Sequence, residues 1–325
     1  MMLDGQKVLI TGGAGFIGSH LARRLVNLGA EVTLVDSLIP EYGGNLHNLH
    51  DIAQQVRLNI SDVRDPHSMK YLVQGVDLVF NLAGQTSHMD SMQDPFTDLE
   101  INSRAQLSIL EALRHHNPTA RMIFASTRQI YGRPDYLPVD EKHPQRPVDV
   151  NGINKIAGES YHLLYHAVYG IPTCALRLTN TYGPGMRIRD ARQTFVGIWI
   201  RRLLEGESFE VWGGEQLRDF NYVEDVVDAF IAAATNPKAW GRLFNLGSGE
   251  VISLAGLADL LLKINGGGHY QLHEFPGERK KIDIGDYYSD FSLISQDLGW
   301  HPCTTLREGL KHTLDYFREH GSHYL

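Results

Sequence analysis

"VLITGGAGFIGSHLARRL", residues 8–25, decides how the rest of the chain is read. A short apolar run enters a turn that carries Gly12, Gly15 and Gly18, and an amphipathic run leaves it. The first glycine lets the chain turn, the second lets backbone approach a pyrophosphate, and the third permits close helix-strand packing, with the phosphates at the positive helix end. Phe16 and Ile17 ride in the same turn. "EVTLVDS" (31–37) then supplies a second strand ending in Asp36, roughly 20 residues on, where a carboxylate can accept both ribose hydroxyls. That charge repels a 2′-phosphate, and no arginine follows at once, so the pattern favours NAD over NADP.

Short runs such as "VRLNI", "DLVFNLA" and "RMIFAS" alternate with helical patterns such as "LSILEALRHH". This alternation predicts an α/β, Rossmann-type, doubly wound parallel sheet. A helix from about Asn151 to Tyr169 and the strand "TCALRL" extend it. Beyond Asn180 the pattern loosens into Gly- and Pro-containing loops, which predicts a smaller C-terminal α/β substrate-binding region. The expected division is 1–179 for the cofactor domain, with a return around 217–247 through "GRLFNLGSG", and mainly substrate-binding chain over 180–325.

Bulk composition sets the class. With 325 residues, 42% hydrophobic and 21% charged, the chain can bury a core without disulfides. Its net charge of −8 carries no basic patch for nucleic acid. Cys174 and Cys303 have no CxxC partner and read as packing residues in a reducing compartment, with no metal site indicated. The N-terminus reads directly into a strand, and no apolar run is long enough for a bilayer, so a cytoplasmic protein is expected.

These motifs resemble the extended short-chain dehydrogenase/reductase family, the NAD-dependent nucleotide-sugar epimerases and dehydratases. The resemblance also rests on "DVRD" (62–65), "NLAGQ" (81–85), "STRQIYG" (126–132), "RLTNTYGPG" (177–185), "QLRDFNYVEDVVDAF" (216–230) and "LGWHP" (298–302). It implies that Asp62 and Val63 lie beside adenine, and that Leu82, Ala83, Gly84 and Gln85 form the loop over the cofactor. It further implies that Thr127 and Lys155 serve the chemical step, Lys155 also touching NAD, and that Asn180 and Arg218 hold a nucleotide diphosphate. A homodimer is expected, through helices around 101–115 and 152–169.

One position departs from the family. The resemblance implies a tyrosine four residues before Lys155, but "DVNGINK" (149–155) has Asn151, and no Tyr-x-x-x-Lys occurs anywhere. Removing a hydride from a carbinol leaves a carbonyl only if some group accepts the proton. An amide can donate and accept hydrogen bonds but is no base near neutral pH. Asn151 can start the helix, orient substrate or water, or supply a carboxylate after deamidation. The candidate replacements are Lys155, partly neutral beside a cationic nicotinamide; His88 in "AGQTSH", which titrates in a useful range; and Tyr131.

Arg128 and Gln129 follow Thr127 where hexose dehydratases carry Asp-Glu and uronate decarboxylases carry a glutamate at the second place. Epimerisation through a transient keto-sugar is therefore expected ahead of dehydration. Arg128 can grip a substrate carboxylate or lie solvated. Arg187 and Arg189, in "GMRIRD", read equally as phosphate ligands or surface partners. A binding protein that keeps NAD and nucleotide sugar without turnover is the competing expectation.

Overall fold

A computed structural model describes residues 3–190, 192, 194–275 and 283–325. The chain starts with β1 (Lys7–Thr11), α1 (Phe16–Asn27), β2 (Glu31–Asp36), β3 (Val56–Ile60), α2 (Pro66–Leu72) and β4 (Leu78–Asn81). The short helices α3 (His88–Gln93) and α4 (Pro95–Leu99) lead into α5 (Ala105–His116), β5 (Arg121–Thr127), α6 (Val150–Tyr169) and β6 (Thr173–Leu178). After them come β7 (Asn180–Tyr182), α7 (Phe195–Leu204), β8 (Phe209–Trp212), β9 (Leu217–Tyr222), α8 (Val223–Thr235) and β10 (Arg242–Asn245). The described chain closes with β11 (Val251–Ser253), α9 (Leu254–Asn265), β12 (Tyr270–His273), α10 (Ser292–Leu298) and α11 (Leu306–His320).

Seven parallel strands form the main sheet in the order β10-β6-β5-β4-β1-β2-β3. This is the Rossmann-type fold expected from the alternation. The order reverses between β1 and β4, and open sheets of this kind bind ligands in the crevice at that switch point. Strands buried on both faces need continuous apolar runs rather than alternation, and Leu78, Val79 and Phe80 in β4 have no exposed surface.

"GRLFNLGSG" does return to the sheet, as β10 beside β6. The expected return over 217–247 is corrected at its start. Residues 217–222, as β9, join β7 and β11 in a separate three-stranded sheet, and only from α8 onward does the chain rejoin the main layer. A second core of Tyr182, Trp199, Ile200, Phe209, Leu257 and Leu310 lies under these later elements.

Local chemistry fixes the ends of α6. Asp149 Oδ1 caps it by accepting the Gly152 N–H at 2.7 Å, and Gly170, at φ +70°, ends it in the left-handed conformation that glycine adopts without cost. The cap therefore delivers Asn151 and Lys155 to the C-terminal edge of the sheet.

Candidate active site

One cleft of about 590 Å³ runs along that edge. Gly12, Gly15, Phe16, Ile17, Gly18, Asp36, Asp62, Val63, Leu82, Ala83 and Gly84 line one end. His88, Thr127, Arg128, Asn151 and Lys155 line its middle, and Asn180 and Arg218 line the far side. Residues from Gly12 to Ile284 thus line one cleft, to which the ends of the parallel strands and the separate β7–β9 sheet both contribute.

The cofactor end has the shape of a dinucleotide cradle. A Cβ on Gly18 would fall into the Gly12 carbonyl, and one on Gly12 would crowd the Leu82–Ala83 backbone at 3.1–3.2 Å. Gly15 caps α1 without any side chain over the helix N-terminus. Thr11 holds the loop in place: its Oγ1 accepts the Leu82 and Ala83 N–H groups, each at 3.1 Å. Asp36 is buried, which pushes its carboxyl up, while the Leu38 and Ala14 N–H groups at 2.9 and 3.0 Å support its charge. Gly44 leaves that carboxylate open, since a Cβ there would stand 2.6 Å from Oδ1. Asp62 is held ionised by Arg64 despite partial burial. These residues fit an NAD laid with pyrophosphate over the glycines and ribose hydroxyls on Asp36.

Lys155 is buried, with Nζ 3.1 Å from the Ala125 carbonyl and 4.9 Å from the Phe124 ring centroid. Burial pulls its pKa down to about 8, with Asp98 opposing. A Cβ on Gly84 would lie 3.0 Å from Nζ, so the lysine sits directly under the cofactor loop.

Asn151 is committed to the protein. Its Nδ2 donates to the Gln85 carbonyl at 2.8 Å and to Asp98 Oδ2 at 3.0 Å, and Asn154 Nδ2 donates to Asp98 Oδ1 at 2.7 Å. Both neighbours of that nitrogen are acceptors, which fixes the amide orientation. Gln85 is drawn into the same network: its carbonyl also accepts Asn102 Nδ2, and its own amide donates to the Ser87 carbonyl. The residue lies beneath the cleft rather than in its lining, a correction to its expected place over the cofactor.

Of the other candidate bases, Tyr131 is excluded by position. Its ring is fully buried, and its hydroxyl donates to Asn245 Oδ1 at 2.6 Å while accepting from Arg177 at 2.6 Å. Burial also raises its pKa well beyond the ordinary phenol range. His88 is different: it lines the cleft, and its Nδ1 lies 2.6 Å from Oδ2 of the buried Asp149. Gln129 Nε2 approaches the other ring nitrogen.

At the far side, Arg128 Nη2 donates to Asn180 Oδ1 at 3.0 Å, and the guanidinium lies over the Tyr287 ring at 5.1 Å. Its Nη1 is buried without a partner among the described residues. Arg218 donates to the Leu217 and Gly285 carbonyls and faces Asp283 at 3.5 Å; burial and neighbouring Arg128 lower its pKa to about 10. Of the two roles expected for Arg187, the structure shows the ion pair. Arg187 pairs with Asp190 at 2.6 Å, donates to the Pro40 carbonyl and does not line the cleft.

Sequence reasoning missed Asp149 as a site residue, along with Tyr42, Gly44 and Thr179 in the lining. Asp149 carried a usable signal as an acidic residue just before a helix, but its second partner was invisible.

Comparison with known proteins agrees with this geometry. The sequence profile of the NAD dependent epimerase/dehydratase family matches residues 8–247. UDP-glucuronic acid decarboxylase 1 of Xenopus tropicalis is 32% identical, covering 98% of this chain and 74% of its own. The structure of UDP-glucose 4-epimerase from Thermotoga maritima with UDP-glucose superposes with a TM-score of 0.88 at 31% identity, covering 97% of this chain and 99% of the other. UDP-glucuronic acid 4-epimerase from Bacillus cereus, in complex with UDP-glucuronic acid and NAD, gives 0.86 at 27% identity with 97% and 99% coverage. With the cradle, the switch-point cleft and these likenesses together, the chain belongs to the NAD dependent epimerase/dehydratase family, and NAD is its cofactor.

Proposed function

We propose that this enzyme epimerises a nucleotide-diphosphate sugar through a transient keto-sugar, with NAD retained through the cycle. The observation that carries this reading is the continuity of the cleft, in which Thr127 and Lys155 stand between the glycine cradle and the Asn180–Arg218 side. Bound NAD supplies a hydride acceptor, and afterwards the donor that returns the hydride. The Thr127 hydroxyl can hydrogen-bond the reacting oxygen, Lys155 can hold the cofactor from below, and Arg218 with Arg128 can bind anionic parts of the substrate.

Dehydration is disfavoured because Arg128 and Gln129, not carboxylates, follow Thr127. Relatives of similar identity include a decarboxylase as well as epimerases, so the choice of epimerisation rests on the site. The test is incubation of the NAD-loaded protein with UDP-glucose, UDP-glucuronate and other nucleotide sugars, followed by NMR of the recovered sugars. A changed configuration at one ring carbon is expected. Binding without any change would favour the non-catalytic reading, for which the amide at Asn151 speaks.

A homodimer and a cytoplasmic site of action are part of the same proposal. Ile153, Leu164 and Val168 on α6, with Phe96 and Leu99 on α4, are exposed, and they support a pairing of this helical face with a second copy. Sedimentation should give twice the chain mass. Both cysteines are free, as suits a reducing compartment, and among the described residues no helix is long and apolar enough to cross a membrane.

A further inference from the structure

The geometry points to His88, held by Asp149, as the group that takes the proton from the reacting hydroxyl and gives it back. This rests on the reading of the cleft as a site of carbinol oxidation. Four contacts form one chain across the cleft wall. Thr127 Oγ1 accepts the Gln129 N–H at 3.3 Å, the Gln129 amide meets His88 Nε2, His88 Nδ1 meets Asp149 Oδ2 at 2.6 Å, and Asp149 Oδ1 caps α6 through Gly152 at 2.7 Å.

The carboxylate sets the tautomer. Asp149 is buried, which works against its charge, but the His88 contact and the Gly152 N–H outweigh that cost and hold its carboxyl below the usual range. An ionised carboxylate only accepts, so Nδ1 carries the hydrogen. Nε2 then keeps a lone pair, to which the Gln129 N–H donates until a substrate hydroxyl takes its place. A histidine fixed on one nitrogen by a buried carboxylate, with the other nitrogen open to a cleft, is the arrangement that makes imidazole an effective base. Arg128 stands near Asp149, and Asp90 on the histidine's own helix is occupied by Arg192 at 3.2 Å.

Of the alternatives near Thr127, Asn151 gives its amide to Asp98 and Gln85, the Tyr131 hydroxyl is enclosed, and Lys155 Nζ donates to the Ala125 carbonyl beneath Gly84, where no acidic partner among the described residues orients it as Asp149 orients His88. In the oxidative half, the O–H bond breaks and its electron pair becomes the second C–O bond, the carbon's hydride leaves to NAD, and the proton forms an N–H bond at Nε2. In the return half, hydride comes back to carbon, the C–O π pair takes the Nε2 proton, and neutral imidazole is restored.

The test combines a spectroscopic and a kinetic arm on the NAD-loaded dimer or monomer as isolated. In protein labelled with ¹⁵N-histidine, assigned by loss of one ring system in His88→Asn, His88 should show the Nδ1–H tautomer, and its Nε2 signal should move when UDP-glucose or UDP-glucuronate binds. Asp149→Asn keeps a capping oxygen for α6 and should give mixed tautomers in a folded protein, with Asp149→Glu recovering part of the effect. On the sugar that wild type converts, His88→Asn should lower kcat by about 10²–10⁴-fold with little change in UDP affinity. An Nε2–H tautomer, ring signals that ignore both probes, or His88→Asn turning over like wild type would each overturn the assignment. Failure of wild type to convert any sugar would instead count against the proposed reaction, leaving the spectroscopic arm to judge His88.

Discussion

Asn151 gives its side-chain amide to Asp98: Nδ2 lies 3.0 Å from Oδ2 of a carboxylate that has no exposed surface. The residue that the family pattern would make a phenol is therefore a clamp between α6, α4 and the Gln85 carbonyl. Asn151→Tyr would take one donor from Asp98, which keeps Asn154, and one from the Gln85 carbonyl, which keeps Asn102, and would press a larger ring into a buried site; each lost bond is worth roughly 0.5–1.5 kcal/mol, and more for the one to the carboxylate. The expected result is a lower Tm and a shallower margin in chemical denaturation, without a gain in turnover. A variant of wild-type stability and raised activity would mean that the amide clamp is dispensable and that the cleft still accepts a phenolic base.

Arg128 has one end anchored on Asn180 and Tyr287 and, among the described residues, its Nη1 without a partner. A buried guanidinium N–H left unmet in a ligand cleft calls for an anion, either the diphosphate or a carboxylate on the sugar. Calorimetry with NAD present on Arg128→Gln should separate them. The expectation is a loss of roughly 1.5–3 kcal/mol for UDP-glucuronate, the usual weight of a hydrogen bond to a charged group, with smaller losses for UDP-glucose and UDP. Equal losses for all three would assign the arginine to the diphosphate.

Asp36 offers a carboxylate preset by two backbone N–H groups, with Gly44 keeping its face open. Asp36→Ala removes two charge-assisted bonds to ribose and the charge that repels a 2′-phosphate. NAD should bind at least about tenfold more weakly, on the scale of one such bond, and the preference for NAD over NADP should narrow. Titration of each dinucleotide into the variant checks both. An unchanged preference would place discrimination in other residues of that wall.

What the sequence made legible was local. The glycine turn, the strand ending in Asp36 and the alternation of strands and helices each lie within a few dozen residues, and periodicity reports them directly. The pairing of His88 with Asp149 spans 61 positions and that of Asn151 with Asp98 spans 53. These partners meet only because α3, α4 and α6 converge at one edge of a sheet, and no periodicity encodes that. Arg187 shows the opposite case. It reads equally as a phosphate ligand or a surface partner, and its partner Asp190 stands three residues on, within reach of a purely local argument. The return around 217–247 is read from "GRLFNLGSG", which does rejoin the main sheet, but nothing local in residues 217–222 says that they pair with β7 and β11 instead.

His162 provides a stability signature away from the cleft. The ring is fully buried, stacked on Phe124 at 4.3 Å, with Nδ1 2.7 Å from the Gly158 carbonyl. Burial lowers its pKa to about 4, the Lys155 charge adding to the effect. Above about pH 6.5 the ring is neutral in folded and unfolded chains alike and contributes no slope. Between about 6.5 and 4 the unfolded chain binds a proton that the folded one refuses, so stability falls with acid, by about 1.4 kcal/mol per pH unit at most for this group. His47, also shifted down by burial and by neighbouring histidines, adds to the same trend. Urea denaturation at pH 7.5 and pH 5 should therefore show a smaller difference for His162→Gln than for wild type, by roughly 2 kcal/mol. The comparison uses differences between two pH values, so the loss of packing that the substitution itself brings cancels. Equal differences in the two proteins would mean that His162 takes up its proton in the fold over the same range as in the unfolded chain.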